Sequence, residues 1–299
     1  MSRPLVSVTS AFYNTGPVLL DMVRSIFRQS FEDWELVLLD DGSTDSSLAI
    51  AQSIADPRVR VFSNGKNRGI PASLNRLTEL SQGKYIARMD SDDMSGRERI
   101  ARQARFLEEN PEVDVVGCGC VSLDEKDQPL GYAAPKAAHA EICQRPYTHY
   151  RMAHPTIFAE REWFQRNPYQ ENIKKGEDYN LFLRTFDSSI YANIPEPLFY
   201  YRLGNSFKLR KQIVFRSSVA RFVFAYHAEQ GRYGRAAALL VRQYAKFLAE
   251  SFYCLCGCKK QLLARRYQVV SDKELQTYID EIKEIKGLIL PIEDGGGNG

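Results

Sequence analysis

The feature that most constrains the fold is the alternation of apolar runs with helical patterns over the first hundred residues. The apolar, β-rich runs span residues 5–12, 36–39, 59–62 and 85–89, and segments with apolar residues at helical spacing separate them. Strands that alternate with helices of this length imply βαβ crossovers and therefore a parallel sheet. In such sheets ligands bind beyond the carboxyl ends of the strands. The polar residues after each strand are therefore the first candidates for a site.

The pattern changes along the chain, and the changes predict its organisation. A helical segment (97–110) and a strand-like run (113–116) are followed by a less regular stretch, and the pattern becomes almost entirely helical from Phe207. A chain of 299 residues is long enough for one large α/β domain with an appendage. We therefore predict a main domain over 1–206, with halves 1–110 and 111–206, a helical extension over 207–290 and a disordered tail over 291–299.

Composition narrows the class of protein. The apolar runs fall short of the roughly 18 residues needed to span a bilayer, and the start, MSRPLVSV, lacks the apolar region of a signal peptide. Six cysteines without such a signal favour a reducing compartment and free thiols. We expect a cytoplasmic protein, either soluble or at a membrane surface.

Carboxylates follow two of the predicted strands. Asp40 and Asp41 end the second, and Asp90, Asp92 and Asp93 follow the fourth. Alone, Asp40-Asp41-Gly42-Ser43 is typical of a turn or a helix cap, but an acidic cluster directly after a buried strand favours function. Grouped carboxylates raise one another's pKa unless a cation lies among them, and Mg²⁺ and Mn²⁺ prefer oxygen ligands. The two groups together predict a site for a divalent metal and a diphosphate.

These motifs carry a resemblance. The segments PLVSVTSAFYN, SIFRQSFEDWELVLLDDGSTDSS, NRGIPASLN, GKYIARMDSDDM, HPTIF, GEDYNLFLR and YRLGNS, in this order, resemble those of family-2 glycosyltransferases. The resemblance covers about the first 206 residues. It implies the GT-A fold, an α/β fold with a Rossmann-like, mostly parallel sheet, here with a helical C-terminal extension. Residues 1–110 then correspond to the nucleotide-binding half and residues 111–206 to the acceptor half.

The resemblance also implies a donor site. By that similarity the donor is a nucleotide-diphospho-sugar, with a UDP-sugar as the favoured form, and the cofactor is Mn²⁺ or Mg²⁺. The nucleotide-sugar would be bound by the following residues: Ala11, Tyr13, Asn14, Asp41, Arg68 and Asp90. The metal would be bound by Asp92, with Asp90 and Asp93 as further candidates. Arg68 is equally well interpreted as a surface arginine in a loop.

Sugar transfer also needs a base for the acceptor hydroxyl. Glu177 and Asp178 precede an apolar helical run, and alone they are typical of the acidic first turn of a helix. Similarity to the family's Glu-Asp motif implies instead that Asp178 is the base and that Glu177 holds the acceptor or a loop. Attack from the face opposite the leaving group implies an inverting transferase. A position near the acceptor pocket is implied for His154.

The net charge of +3 conceals a basic segment. Residues 202–266 contain 14 Lys and Arg against 2 Asp and Glu, whereas the first 201 residues are acidic, with 23 against 28. Residues 207–266 either form ordinary packed helices with a solvated basic face or lie on an anionic membrane, where each Lys or Arg contributes roughly 1 kcal/mol. Similar enzymes assemble surface polysaccharide or glycolipid on saccharide or polyprenyl-linked acceptors, which favours a peripheral location at the inner face of the membrane. No nucleic-acid partner is expected.

The spacing of Cys254, Cys256 and Cys258 is unlike that of paired zinc ligands, so these cysteines are interpreted as small apolar residues.

Other functions fit the motifs less well. A dinucleotide-dependent oxidoreductase would carry G-x-G-x-x-G after the first strand, where this chain has Tyr13-Asn14-Thr15-Gly16. A sugar-phosphate nucleotidylyltransferase would carry a glycine-rich basic loop there. The alternative that stays open is a catalytically inactive nucleotide-sugar-binding or scaffold protein of the same fold, although all the candidate acidic residues are present.

Overall fold

The structure is a computed structural model that describes residues 3–144, 146–147, 151–203, 209–234, 236–242, 244–245 and 270–293. Side chains within 209–215 are not described. Residues 254–258 and 294–299 lie outside the described residues, as do 207–208, 235, 243 and 246–266 of the basic segment. The predictions made for those residues therefore stay predictions.

The described residues contain nine strands in one sheet. They are β1 (Val6–Phe12), β2 (Trp34–Asp40), β3 (Val59–Ser63), β4 (Tyr85–Arg88), β5 (Met94–Ser95), β6 (Val115–Leu123), β7 (Pro129–Ala133), β8 (Phe158–Glu160) and β9 (Tyr191–Arg202). The order is β3-β2-β1-β4-β8-β6-β9-β5, with β7 paired to β6. The first four strands are parallel, as the sequence predicts, and so is the β6–β9 pair. The remaining pairs are antiparallel, including both partners of β8.

Helices cover the sheet. They are α1 (Val18–Phe27), α2 (Ser47–Gln52), α3 (Ile70–Leu80), α4 (Arg99–Glu109), α5 (His139–Ile142), α6 (Arg161–Arg166), α7 (Glu177–Thr185), α8 (Leu209–Glu229) and α9 (Asp272–Gly287). Residues 236–242 are helical as well, and His154–Thr156 form a 3-10 turn. Within the described parts of the chain, none of these helices has the length and apolarity to cross a bilayer.

Alternating side chains of the central strands build two cores. In β2, Leu36 and Leu38 join one apolar cluster, and Val37 and Leu39 join another. This is the two-residue period of a strand that is buried on both faces. Because both faces are covered, the polar residues of the site lie beyond the strand ends.

Helix α9 packs against the body of the protein. Its Tyr278, Ile282 and Ile285 share a buried cluster with residues of β5, β6 and β9. The chain beyond α9 continues this contact, since Ile292 forms a β-bridge with Ile54 and Glu293 N–H donates to Ser53 O at 2.9 Å. Residues 291–293 therefore differ from the prediction of a disordered tail that starts at 291. Local composition could not reveal a bridge partner so distant in the sequence.

Candidate functional site

The loop after β4 holds the three aspartates proposed for the metal. Asp92 is exposed, whereas Asp93 is only 1% exposed. Asp93 Oδ1 accepts a hydrogen bond from the backbone N–H of Arg202 at 2.8 Å, and its buried Oδ2 has no donor among the described residues. Burial, together with repulsion from Asp90 and Asp92, raises the pKa of Asp93 well above its ordinary value. Although the residue as a whole is exposed, desolvation of its carboxylate and repulsion from Asp90 likewise raise the pKa of Asp92. The loop concentrates negative charge that a cation would stabilise.

A buried arginine lies beside these aspartates. Arg88 is the last residue of β4, its side chain is 6% exposed, and its Nη2 donates to Asp90 Oδ1 at 2.5 Å. Its Nε and Nη1 are also buried, with no acceptor among the residues described. Burial opposes the charge, but Asp90, Tyr169 and Glu177 outweigh it, so the pKa of Arg88 is raised. Arg88 is not among the site residues predicted from the sequence. The available signal was a charged residue inside an apolar run.

Asp40 fixes the turn after β2. Its carboxylate accepts hydrogen bonds from Ser43 N–H (2.8 Å), Gly42 N–H (3.2 Å) and Ser63 Oγ (2.7 Å). Burial tends to raise the pKa of Asp40, but these donors outweigh it and the pKa is lowered. Gly42 has φ +77°, and a Cβ there would lie 2.4 Å from the carbonyl carbon of Lys66. Only glycine fits this turn.

Asp41, just after β2, accepts hydrogen bonds that hold a second turn, the one that contains Arg68. Its Oδ1 accepts from Asn64 Nδ2 (2.8 Å), Arg68 N–H (2.9 Å) and Ser73 Oγ (2.9 Å), and its Oδ2 accepts from Gly69 N–H (2.9 Å). The residue is 2% exposed. With one donor among the described residues, Oδ2 keeps capacity for another. Asp41 thus holds the turn that contains Arg68, and its contact with a base stays a prediction.

Three residues predicted to bind the nucleotide-sugar lie at or just after the end of β1. Ala11 is buried within β1, and Tyr13 beyond the strand is 46% exposed. Asn14 has φ +50°, and its Oδ1 accepts the N–H of Thr44 at 2.8 Å while its own N–H donates to Ser43 Oγ. Asn14 therefore joins the loops after β1 and β2, and both Tyr13 and Asn14 are exposed.

The predicted nucleotide-binding and acceptor halves meet near Arg68. The Arg68 side chain is 45% exposed, and its Nη2 lies 3.8 Å from Glu171 Oε2. Asn75 on α3 donates to Tyr169 O at 2.9 Å. The segment around residues 169–171 thus lies against α3 and the Arg68 turn.

Helix α7 presents the proposed base. Gly176, with φ +80°, precedes the helix, and Glu177 and Asp178 form its first turn. Asp178 is half-buried, and its Oδ1 accepts the N–H of Tyr179 at 2.7 Å. Burial and the charge of Glu177 raise the pKa of Asp178 to about 6, although Arg88 acts in the opposite direction. Asp178 is therefore ionised at neutral pH and more basic than an ordinary aspartate.

His154 is buried next to this region. Its Nε2 lies 2.8 Å from the hydroxyl of Tyr169. Burial and the charge of Arg88 lower the pKa of His154 well below its ordinary value, so its ring is neutral. The structure places His154 in a fixed hydrogen bond, and its link to an acceptor pocket stays a prediction.

The residues present fit a metal only in part. Among the described residues, no group of three or more His, Cys, Asp and Glu side chains is placed to hold an ion. However, Mg²⁺ often needs only one or two carboxylates when substrate phosphates complete its coordination. The carboxylate of Asp92 and the Asp93 Oδ2 that is unpartnered among the described residues suit that smaller set.

The charges of the β4 loop and of α7 converge on Arg88. Asp90, Glu177 and Asp93 all raise the pKa of Arg88, and Arg88 in turn lowers the pKa of Asp178. Two motifs more than eighty residues apart in the sequence thus share one buried cation.

Comparison with known proteins identifies the family of the chain. Residues 7–191 match the family model described as glycosyl transferase family 2. The chain belongs to this family. The family resemblance of the sequence motifs is therefore confirmed, and so is the GT-A fold with its helical C-terminal region.

Relatives of the chain are also named as glycosyltransferases. This glycosyltransferase is 32% identical over 237 residues to EpsE of Bacillus subtilis (strain 168), which is named as a glycosyltransferase, covering 76% of this chain and 82% of EpsE. It is 30% identical over 217 residues to an uncharacterised glycosyltransferase of Haemophilus influenzae, covering 68% and 67% of the two chains.

Solved structures share the fold at lower identity. S. aureus TarS 1-349 in complex with UDP-GlcNAc aligns with a TM-score of 0.62 at 18% identity, covering 94% of this chain and 80% of that one. The mannosyltransferase PcManGT from Pyrobaculum calidifontis, in complex with GDP-Man and Mn²⁺, aligns with a TM-score of 0.57 at 15% identity, covering 96% and 86%.

Proposed function

We propose that this family-2 glycosyltransferase moves a sugar from a nucleoside diphosphate to an acceptor hydroxyl, with inversion at the anomeric carbon. The observation that carries the proposal is that Arg88, which donates a hydrogen bond to Asp90 in the β4 loop, also acts electrostatically on Asp178. It pairs a carboxylate that can accept a proton near neutral pH with a loop suited to a diphosphate and its cation.

In this reaction the acceptor oxygen bonds to the anomeric carbon on the face opposite the diphosphate. The bond from that carbon to the diphosphate oxygen breaks, and the diphosphate leaves with the electron pair. The proton of the acceptor hydroxyl passes to Asp178, whose pKa of about 6 leaves it ionised at pH 7. Glu177 keeps Asp178 basic through its neighbouring charge and holds the acceptor or its loop.

The cation in this proposal is Mn²⁺ or Mg²⁺, which Asp92 and Asp90 would hold together with the diphosphate. When bound, it supplies positive charge that stabilises the leaving diphosphate. Asp93 supports this set, since its Oδ2 is buried and unpartnered among the described residues. Support also comes from PcManGT, whose structure contains GDP-Man and Mn²⁺.

A UDP-sugar is the donor that we favour, because TarS was solved with UDP-GlcNAc. The nucleotide would lie against Ala11 and Tyr13, with Asp41 Oδ2 as acceptor for the base. Asn14 and the Arg68 turn, both tied to neighbouring loops by hydrogen bonds, would shape the pocket.

The acceptor in this proposal is a saccharide or a polyprenyl-linked saccharide used in cell-surface polysaccharide or glycolipid assembly. The enzyme would act in the cytoplasm, at the inner face of the membrane, with residues 207–266 against anionic lipid. In the described part of that segment, exposed apolar and basic residues lie close in sequence: Arg221, Phe224, Arg232, Tyr233, Val241, Arg242 and Tyr244. Cosedimentation with phosphatidylglycerol vesicles but not phosphatidylcholine vesicles, lost at high salt, would support this location.

The function is tested by thermal unfolding with UDP, GDP, dTDP and CDP, each with and without Mn²⁺ or Mg²⁺. A ligand at 100 times its dissociation constant stabilises the folded state by about 2.7 kcal/mol, which a melting shift resolves. We expect a metal-dependent shift with UDP. A shift with GDP alone would indicate a GDP-sugar as the donor. Absence of a shift with all four nucleoside diphosphates would refute the donor site. Donor binding without turnover on any saccharide acceptor would favour the inactive scaffold instead.

A further inference from the structure

The turn between β6 and β7 contains an aspartate with an unusual backbone conformation. Asp127 has φ +58°, a left-handed conformation that L residues rarely adopt, although Asp and Asn tolerate it better than most. The turn around it is well fixed, since Asp124 Oδ1 accepts the N–H groups of Lys126 and Gln128, each at 2.8 Å. Strained residues of this kind persist where surrounding contacts hold them.

The side chain of Asp127 is held by Arg202. Arg202 Nε donates to Asp127 Oδ1 at 2.5 Å, and Nη2 donates to Oδ2 at 3.0 Å, so the pair is bidentate. Arg202 Nη2 also donates to Asp21 Oδ2 at 2.8 Å. The side chains of Asp127 and Arg202 are only 14% and 11% exposed. Two carboxylates therefore fix the orientation of one guanidinium.

Arg202 in turn contacts the loop after β4. Its Nη1 donates to the backbone carbonyl of Asp92 at 2.8 Å, and its backbone N–H donates to Asp93 Oδ1 at 2.8 Å. A continuous set of hydrogen bonds thus leads from the hairpin through Arg202 to the aspartates proposed for the metal.

Lys286 of α9 completes the charge balance of this cluster. Its ammonium contacts Asp127 Oδ2 and lies 4.0 Å from Asp21 Oδ2. Burial tends to raise the pKa of Asp127, but Arg202 and Lys286 outweigh it and the pKa is lowered. Asp127 is therefore ionised at neutral pH. Because Arg24 Nη1 also lies 3.0 Å from Asp21 Oδ1, three cations face the two carboxylates.

We propose that Asp127 is a positioning residue for the donor–metal site, because it holds Arg202, and Arg202 fixes the loop that carries Asp92 and Asp93. The inference rests on the proposed function, which assigns the cation to that loop. None of the motifs shared with the family contains Asp127. Groups that orient metal ligands from outside affect metal affinity strongly even though they do not touch the metal.

The test measures Mn²⁺ binding in the presence of UDP, or of another nucleoside diphosphate if that is the one that binds. The EPR signal of free Mn²⁺ reports how much of the ion remains unbound. Asp127→Asn keeps the size and tolerates the left-handed backbone but removes the charge. We expect it to weaken Mn²⁺–diphosphate binding roughly tenfold. Asp127→Gly relieves the backbone conformation while removing the carboxylate, so we expect weak binding without a matching fall in Tm.

The matched control is Glu284→Gln. It removes a different ion pair of α9, the one between Glu284 and Arg28, which does not involve Arg202. It should leave Mn²⁺–diphosphate binding unchanged, whereas Asp92→Asn should weaken it. If Asp127→Asn and Asp127→Gly bind like the wild type while Asp92→Asn does not, the positioning role is refuted and the donor site stands. If the wild type itself binds no diphosphate with Mn²⁺, the proposed function fails, and the inference with it.

Discussion

Asp178 differs from a surface aspartate in that burial and Glu177 raise its pKa to about 6. As the proposed base it must be ionised, so kcat/KM should fall as the pH drops below about 6. We predict that Asp178→Asn lowers kcat by roughly a hundredfold or more while donor binding is retained, because an amide cannot accept the proton. Turnover is measured as release of nucleoside diphosphate, and binding by calorimetry.

Asp92→Asn is the counterpart of this variant, because it should weaken metal-dependent donor binding. The two aspartates are therefore distinguished by which step each affects. Near-wild-type turnover of Asp178→Asn would show that another group is the base.

Arg88 supplies the positive charge that limits the rise in the pKa of Asp178. We predict that Arg88→Met raises that pKa further, so the acidic limb of the kcat/KM profile moves to higher pH. Activity near pH 6 should then fall more than activity near pH 8. Arg88→Lys retains the charge and should move the limb less. A limb that stays in place in Arg88→Met, in protein with a normal Tm, would contradict this electrostatic role.

The acidic residues were predictable because carboxylates after parallel strands stand out in the sequence. Arg88 and Asp127 were not, because their importance depends on partners from distant segments. Arg88 matters through Asp90 and Glu177, and Asp127 through Arg202. A local sequence pattern does not show which distant residue a polar side chain will contact. The sequence alone therefore indicated the candidate residues but not the partners that fix their positions.

At the scale of elements, local signals predicted β1 to β4 and the helices between them well. Helix α3 lies between β3 and β4, where the sequence pattern predicts a helix. Strand β8 has only three residues, too few for a periodic signal. Strand β9 contains Pro195 and Pro197, which argue against a strand, and the structure accommodates them by a register shift opposite Gly119.

The turn after β2 gives a test at this scale. Gly42 and Gly65 both have positive φ, but only at Gly42 would a Cβ meet backbone, 2.4 Å from Lys66, while at Gly65 it would meet open space. We predict that Gly65→Ala costs roughly 1–3 kcal/mol from backbone strain alone. Gly42→Ala should cost more, because the Lys66 backbone must also move.

The free energy of unfolding from urea titrations compares the two variants. Gly42→Ala should also weaken donor binding, since its turn adjoins Asp41. Equal losses of stability in the two variants would show that the close approach at Gly42 costs nothing.

For the whole molecule, the main question is whether α9 belongs to the catalytic body. Sequence composition places it in a separate extension, yet Glu281 accepts hydrogen bonds from Tyr200 Oη at 2.5 Å and from Arg97 N–H at 2.8 Å. Arg24 Nε also donates to Leu288 O at 3.0 Å. Contacts to α1, β9 and the segment after β5 indicate that α9 folds with the body and supports the side of it that carries the Asp92–Asp93 loop.

If α9 folds with the body, damage to its buried face must destabilise the whole protein. Ile285 is fully buried, whereas Ile289, four residues on, is 92% exposed. We predict that Ile285→Ala lowers the free energy of unfolding by roughly 2–5 kcal/mol and that Ile289→Ala changes it little. Urea unfolding followed by circular dichroism and by tryptophan fluorescence should give one coincident transition, because Trp34 and Trp163 report on the body. A separate early transition in Ile285→Ala, seen by circular dichroism but not by fluorescence, would show instead that α9 unfolds alone and that the body is stable without it.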